Sequence, residues 1–378
     1  MSITSRLLSF ILIFVFVGPI WADEIVNTST SVRALGMGNA YAAIVNDSDS
    51  IYYNPAGLAD SKGYYWTIVD PKVGVSGYDA FQTLSNAQNQ GTFADTLREL
   101  YGKHIWLGGG LKMAFTMPYL AIAIYDNFDA SMWVDNPVNP QLNMFLTNDY
   151  AIALGTGFKI LPMLHAGFVV KRITRTGSRE PFDLDTIGSL NPDDVFSNIQ
   201  NEGTAYAADM GMNLVLDAGI KSTVSFVWRN IGVTTFKAEP NRLAPPSELD
   251  DMTLGGSLSF DAGLVGITPV MEVRYLNRSE YQLGRRIHLG VEVDFPMVDA
   301  RAGFNQGYLT YGVGLNLGLF RFDAASYGVE LGEYPGQLED RRYVLQFTAE
   351  IGMDAGNFDI FGDSKGGSAA RRGLKQRR

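Results

Sequence analysis

The strongest constraint in this chain is a period-two alternation of apolar and polar residues, recurring in segments about nine to twelve residues long. Over 287–295, Ile287, Leu289, Val291, Val293 and Phe295 alternate with His288, Gly290, Glu292 and Asp294. Over 308–320, Leu309, Tyr311, Val313, Leu315, Leu317 and Leu319 alternate with Thr310, Gly312, Gly314, Asn316 and Gly318. Over 343–352, Tyr343, Leu345, Phe347, Ala349 and Ile351 share one face, and Glu350 falls on the other. Segment 265–275 places Glu272 and Arg274 together on its polar face. Strands of soluble domains cluster near five or six residues. A tilted strand needs about 9–11 residues to cross the hydrocarbon layer. The length therefore favours a membrane barrel, with apolar faces toward lipid and polar faces toward a lumen. Backbone groups in lipid need internal partners, so such a sheet must close on itself.

The same pattern predicts strands over 64–76, 105–116, 119–134, 146–160, 163–176, 204–217, 221–232, 252–262, 265–276, 286–296, 298–306, 308–319, 320–331 and 342–353. The fold class is all-β: a transmembrane antiparallel β-barrel of about fourteen strands, an even number as in single-chain bacterial barrels. The connections alternate in length along the chain. Long links lie at 77–104, 135–145, 177–203, 233–251, 277–285 and 332–341. Short ones lie at Pro118, Leu161-Pro162, 217–219, 261–263, Pro296 and Phe320. The link at 305–307 is short where the scheme calls for a long one. Outer-membrane barrels place short turns in the periplasm, so both ends of this barrel would face that compartment. Residues 93–101 and 192–201, inside two long links, read as helices.

Composition agrees with this reading. The 41 glycines and the 22 Phe, 18 Tyr and 5 Trp suit tight turns and interfacial aromatic girdles. A mean hydropathy of zero is far below that of a helical membrane protein. The absence of cysteine excludes disulfides and thiol chemistry. A formal charge of −10 argues against a nucleic-acid partner. Arg6, the apolar run Leu7–Ile20 and Trp21-Ala22 before Asp23 form a secretory signal, with cleavage expected after Ala22. The domains are then a signal peptide at 1–22, an N-terminal segment at 23–62, the barrel at 63–354 and a tail at 355–378. The tail is basic and Gly/Ser-rich, reads as disordered, and offers a contact for a periplasmic partner.

Residues 31–60 do not alternate. They contain Gly36-Met37-Gly38, the acidic pair Asp47 and Asp49, and Tyr52-Tyr53-Asn54-Pro55-Ala56-Gly57-Leu58. Asn before Pro favours an extended or turn conformation. This segment, placed just after a signal peptide, resembles the hatch of the FadL-type outer-membrane transporter superfamily, which includes PorV-like and TraF-like relatives. The matching positions are Gly36, Gly38, Asn54, Pro55, Ala56 and Gly57. Arg229-Asn230-Ile231-Gly232 and the closing pattern from Phe322 also resemble the superfamily.

The resemblance implies a barrel of about fourteen strands plugged by its own N-terminus, with those six residues as hatch or gating positions. It implies passage of a hydrophobic compound, a long-chain fatty acid or similar, with lateral exit into the membrane. The alternative is a non-transporting scaffold or a secretion and assembly accessory of PorV-like type. Outer-membrane lipid, lipopolysaccharide, a hydrophobic small molecule and the barrel assembly machinery would be its partners. The chain departs from the pattern in two respects: it ends on a basic tail, not an aromatic strand end, and its polar faces show no apolar cluster for a fatty-acid chain.

No enzyme is expected. His104, His165 and His288 have no metal-ligand spacing, and Gly108–Lys112 lacks the full phosphate-loop pattern. No cofactor, catalytic residue or metal site is assigned. Glu272, Arg274, His288, Glu292, Asp294 and Glu350 are candidate lumen-facing polar residues. Asp47 and Asp49 are expected to be solvated or to cap a helix.

Overall fold

Fourteen antiparallel strands run up and down around a closed cylinder in a computed structural model that describes residues 24–25, 30–79, 82, 99–135, 141–183, 201–240 and 242–354. The wall strands are β1 (Gly63–Val75), β2 (His104–Met117), β3 (Leu120–Asp135), β4 (Gln141–Leu161), β5 (Leu164–Asp183), β6 (Glu202–Asp217) and β7 (Lys221–Arg229). After a two-residue strand β8 (Lys237–Ala238) come β9 (Asp251–Asp261), β10 (Gly266–Val273), β11 (Ile287–Asp294), β12 (Val298–Asn305), β13 (Tyr308–Asn316), β14 (Phe320–Glu330) and β15 (Glu339–Asp354). Each wall strand pairs with its sequence neighbours, and β1 closes against β15. β8 lies outside this ring and only extends β6 at Gly203 and Thr204. The signal segment, the tail and the predicted helix at 192–201 lie outside the described residues, as does most of 93–101.

Closure follows from the alternation. Leu309, Tyr311 and Val313 point outward, as do Tyr343 and Leu345, at roughly half exposure each, while Thr310 and Val344 between them are buried. These outward side chains form the apolar belt of a transmembrane barrel, and every strand edge finds a partner. No helix among the described residues is long and apolar enough to cross a membrane.

The predicted strands are all present, and the differences are at their ends. β7 stops at Arg229, not at 232, because Asn230, Gly232 and Val233 all take left-handed backbone (φ 51°, 83° and 65°). β10 stops at Val273 because Tyr275 does the same (φ 53°). β4 and β5 run beyond the alternating region, to 21 and 20 residues, and stay paired throughout. The anomalous link at 305–307 is a tight hairpin. Gln306 and Gly307 both have positive φ (51° and 104°), the geometry a two-residue turn needs to match strand twist.

Residues 30–62 fill the lumen. They form α1 (Val32–Gly36), α2 (Ser50–Tyr53) and a 3₁₀ helix at Pro55–Asp60. Met37, Tyr41, Ile51, Tyr53 and Leu58 are almost wholly buried. These helices are too short to be stable alone in water, so packing against the wall must hold them.

Candidate functional site: the lumenal plug and the cavity above it

The plug is fastened to the wall by backbone groups as much as by side chains. Gly38 has φ 65°, and a Cβ there would lie 2.3 Å from the Leu289 carbonyl oxygen and 2.5 Å from that of Phe304. Only glycine fits both the conformation and the space. Its N–H donates to Thr310 Oγ1 (2.9 Å), and Thr310 in turn donates to the Gly36 carbonyl (3.1 Å). His288 Nδ1 lies 2.9 Å from the Gly38 carbonyl oxygen, so Nδ1 carries the proton it donates there. One carboxylate oxygen of Glu272 accepts the Tyr41 N–H (2.5 Å) and the Ala42 N–H, while Arg274 holds the other oxygen at 3.2 Å. Arg274 also donates to the Asn39 carbonyl (2.6 Å).

At the other end of the plug, Asn54 organises the turn into the 3₁₀ helix. Its Nδ2 donates to the Ala42 carbonyl (2.8 Å) and to Asn213 Oδ1 on β6 (2.7 Å). Its Oδ1 accepts the Ala56 N–H (3.0 Å), and Pro55 supplies the first helical position, where no N–H is needed. Pro55 and Ala56 press on the wall at Gly167, where an added Cβ would come 2.2 Å from the Pro55 carbonyl carbon. Gly57 abuts the Val45 carbonyl within the plug, and Gly36 abuts Gly312 on β13.

Charged groups finish the anchoring. Arg33 of α1 forms a two-pronged contact with Glu292 (2.9 and 2.5 Å). Arg301 then links Glu292 (2.6 Å) to Asp323 (2.6 Å) and Asp299 (3.0 Å). Asp294 is buried beside them, and the oxygens of Glu292, Asp294 and Asp299 converge within 4.8 Å. Arg33 and Arg301 pair with Glu292, and Arg301 also with Asp299, so these two carboxylates belong to an ion-pair network. Glu350 is half-buried and accepts the Thr67 hydroxyl (3.1 Å).

Asp49 is not solvated and does not cap α2. It is buried against Lys112 of β2, which also pairs with Asp70 at 3.0 Å. Burial pushes the Asp49 carboxyl up, but the Lys112 ammonium outweighs this and holds it below the usual carboxylate value. Burial and the neighbouring Asp49 charge raise Asp47 instead. Burial raises the Tyr53 phenol to about 12, so it stays protonated and bonds to Asn39 Oδ1 (2.7 Å). The remaining histidines lie apart: His104 faces Asp340 (3.1 Å) and His165 faces Asp60 (3.6 Å).

On the long-link side of the plug lies a cavity of about 340 Å³. Tyr52 of α2 is its floor, and Phe145, Leu249, Tyr275 and Tyr281 line its sides. Lys171, Arg175 and Arg229 also reach it, each held by a carboxylate: Asp209 (2.8 Å), Asp149 (2.6 Å) and Asp251. None of these cavity residues stood out as a site in the sequence apart from Arg229. The detectable signal was the charge on the inward face of β5, where Lys171 and Arg175 flank Ile173.

No family model matches the sequence, and no curated protein matches it. Solved structures do match in shape. The ΔS2S3 mutant of the monoaromatic hydrocarbon channel TodX superposes with a TM-score of 0.50 at 9% identity, covering 86% of this chain and 99% of that one. The Pseudomonas putida toluene transporter TodX gives 0.47 at 10% identity, covering 87% and 99%. A Pseudomonas aeruginosa FadL homologue gives 0.32 at 10%, covering 87% and 99%. The chain thus shares its barrel fold with the ΔS2S3 mutant of the TodX channel.

Proposed function

We propose that the protein carries a hydrophobic compound across the outer membrane of a Gram-negative bacterium, with the short turns and both chain termini in the periplasm. The observation that supports this best is a cavity of about 340 Å³ above a plug that the chain supplies itself. Four aromatic rings, of Tyr52, Phe145, Tyr275 and Tyr281, offer apolar surface to a small molecule among the charged side chains of the lining, and the volume lies at the lower end for ligand sites. The TodX mutant that shares the fold is described as a monoaromatic hydrocarbon channel. On this reading a compound enters from the loop side and rests on Tyr52. A shift of the plug then releases it sideways into the membrane. The wall beside the plug is irregular where such an exit would help. Pairing of β1 shifts register between Thr67 and Asp70, and Pro71 within the strand has no N–H to donate.

Uptake is the test. A strain lacking the protein should take up a fatty acid, an alkane or a monoaromatic compound more slowly than wild type. Ser247→Trp, which narrows the cavity mouth, should slow that uptake without lowering the amount of barrel in the membrane. Unchanged uptake of all three classes in the deletion strain counts against the proposal.

The closed ion pairs around the cavity favour a second reading, a non-transporting scaffold. Lys171, Arg175 and Arg229 make the chamber more polar than a hydrocarbon site requires. Cross-linking that recovers a stoichiometric partner, with no ligand in the purified barrel, would favour it.

A further inference from the structure

The rim formed by the short turns is apolar. Leu161 and Met163 flank Pro162 between β4 and β5, Met297 follows Pro296 between β11 and β12, and Leu317 and Leu319 flank Gly318 between β13 and β14. Leu264 in the β9–β10 turn is 75% exposed, and the other five are about half exposed. The links at the opposite end mix exposed apolar residues such as Leu243 and Leu283 with the charges of Lys237, Glu239, Arg242, Arg278 and Glu280. The charges near the short-turn rim that could meet solvent partly turn inward, since Lys159 and Lys221 both reach Asp60 at the end of the plug (3.2 and 3.5 Å).

Strand length supplies a second, independent observation. β10, β11 and β12 have eight residues and β13 has nine. Eight residues tilted by about 40° span only about 20 Å of bilayer, short of an apolar band of about 25 Å. The turn residues after β11 and β13 are those that would extend the greasy surface by the missing amount. They are also continuous with the belt: Val298 and Phe320, next to the turns, are exposed in the same way as Val313 and Leu309 higher up.

We propose that the short-turn rim is a lipid-binding surface, seated in the interfacial zone of the inner leaflet and not projecting into the periplasm. Leu161, Met163, Leu264, Met297, Leu317 and Leu319 contact acyl chains there, and Asp217 and Asp261 at the starts of their turns lie at headgroup level. If the protein is a channel, its lower mouth then opens against lipid. The rim's environment can nevertheless be measured with no cargo present, so failure here and failure of the transport reading are distinguishable.

The chain has no cysteine, so single-cysteine variants can be made directly. Leu264→Cys, Met297→Cys and Leu319→Cys, each carrying a nitroxide, would be placed in phospholipid vesicles with no other protein. Collisional relaxation by oxygen and by a water-soluble nickel chelate is then compared with Leu345→Cys in the belt and Leu243→Cys in a long link. The expected result is a several-fold lower chelate accessibility at the rim than at Leu243, with oxygen accessibility close to that at Leu345. Rim labels as open to the chelate as Leu243 would overturn the proposal, and their protection only in native membranes would point to a protein partner instead. If labelling prevents insertion, Leu264→Trp and quenching by brominated lipid give the same distinction: strong quenching supports the seat in lipid, and none overturns it.

Discussion

Single residues decide how firmly the plug is held, and burial separates those that matter from those that do not. Glu272 is fully buried and accepts two plug N–H groups as well as Arg274. Removing one partner of such a buried charge costs about 3–5 kcal/mol. Asp60 faces His165 at 3.6 Å, beyond hydrogen-bond distance, and meets Lys159 and Lys221, whose side chains are nearly half exposed; such surface pairs contribute about 0–1 kcal/mol. Glu272→Ala should therefore loosen the plug, seen as raised protease cutting within residues 30–60, while Asp60→Ala should leave the cutting pattern unchanged. Gly38→Ala should act like Glu272→Ala, because its Cβ would collide with two carbonyl oxygens of the wall. The plug's carboxylates also predict its response to acid. Asp49 has a folded value below its unfolded one, so its contribution is present above the ordinary carboxylate range and is lost as pH falls through the lowered value. Asp47 is shifted the other way, so at neutral pH its charge opposes docking, and this opposition fades as pH falls through the raised value. Mild acid should leave the plug seated, and only pH below the usual carboxylate range should free it. Asp47→Asn at neutral pH should raise, or leave unchanged, the temperature at which the plug becomes cleavable. A plug released at pH 6 would contradict this assignment.

At the scale of elements, the plug and the wall stand in different relations to stability. The wall strands pair with one another, and the pairing closes with no contribution from α1, α2 or the 3₁₀ helix. Deleting residues 30–60 should leave a barrel that still inserts, with an unblocked polar lumen. Planar bilayers should then show conductance steps absent from the intact protein. If the deletion variant is recovered only as unfolded aggregate, the wall does not fold independently of the plug. The element boundaries were legible where period two persisted. β9, β11, β12 and β15 differ from the predicted ranges by a few residues at most. They were not legible at 229–233 and 273–276, because non-glycine residues there adopt left-handed backbone, which composition does not signal.

For the whole molecule, the outward belt is the property with the widest consequences. Trp66, Leu111, Ile122, Leu154, Leu254 and Leu345 lie on six different strands and are all exposed, an apolar surface far beyond what a soluble monomer tolerates. The purified protein should stay monodisperse only in detergent or lipid. In unheated gel samples it should migrate faster than after boiling, because the closed ladder resists detergent until heat opens it. Extraction of the folded protein by salt or alkali alone would contradict the belt.

The sequence by itself determined the class, the strand count and, in segments such as 287–295, 308–320 and 343–352, the face on which a wall residue lies, because side chains in a strand alternate with a period of two and the hydrocarbon layer sets a minimum length. It also marked residues 31–60 as something other than wall, through glycines and an Asn-Pro step that interrupt the alternation. Only the tertiary structure decided what those residues touch. Arg33 and Glu292 are 259 positions apart, and Tyr41 and Glu272 are 231 apart. The same holds for the cavity, where Tyr52 lines one chamber together with side chains from β4, β5, β7, β9 and the link before α3 (Leu283–Arg286). No local pattern encodes such pairs. They arise when the cylinder closes, since closure fixes the inner diameter and hence which inward side chains a plug can reach.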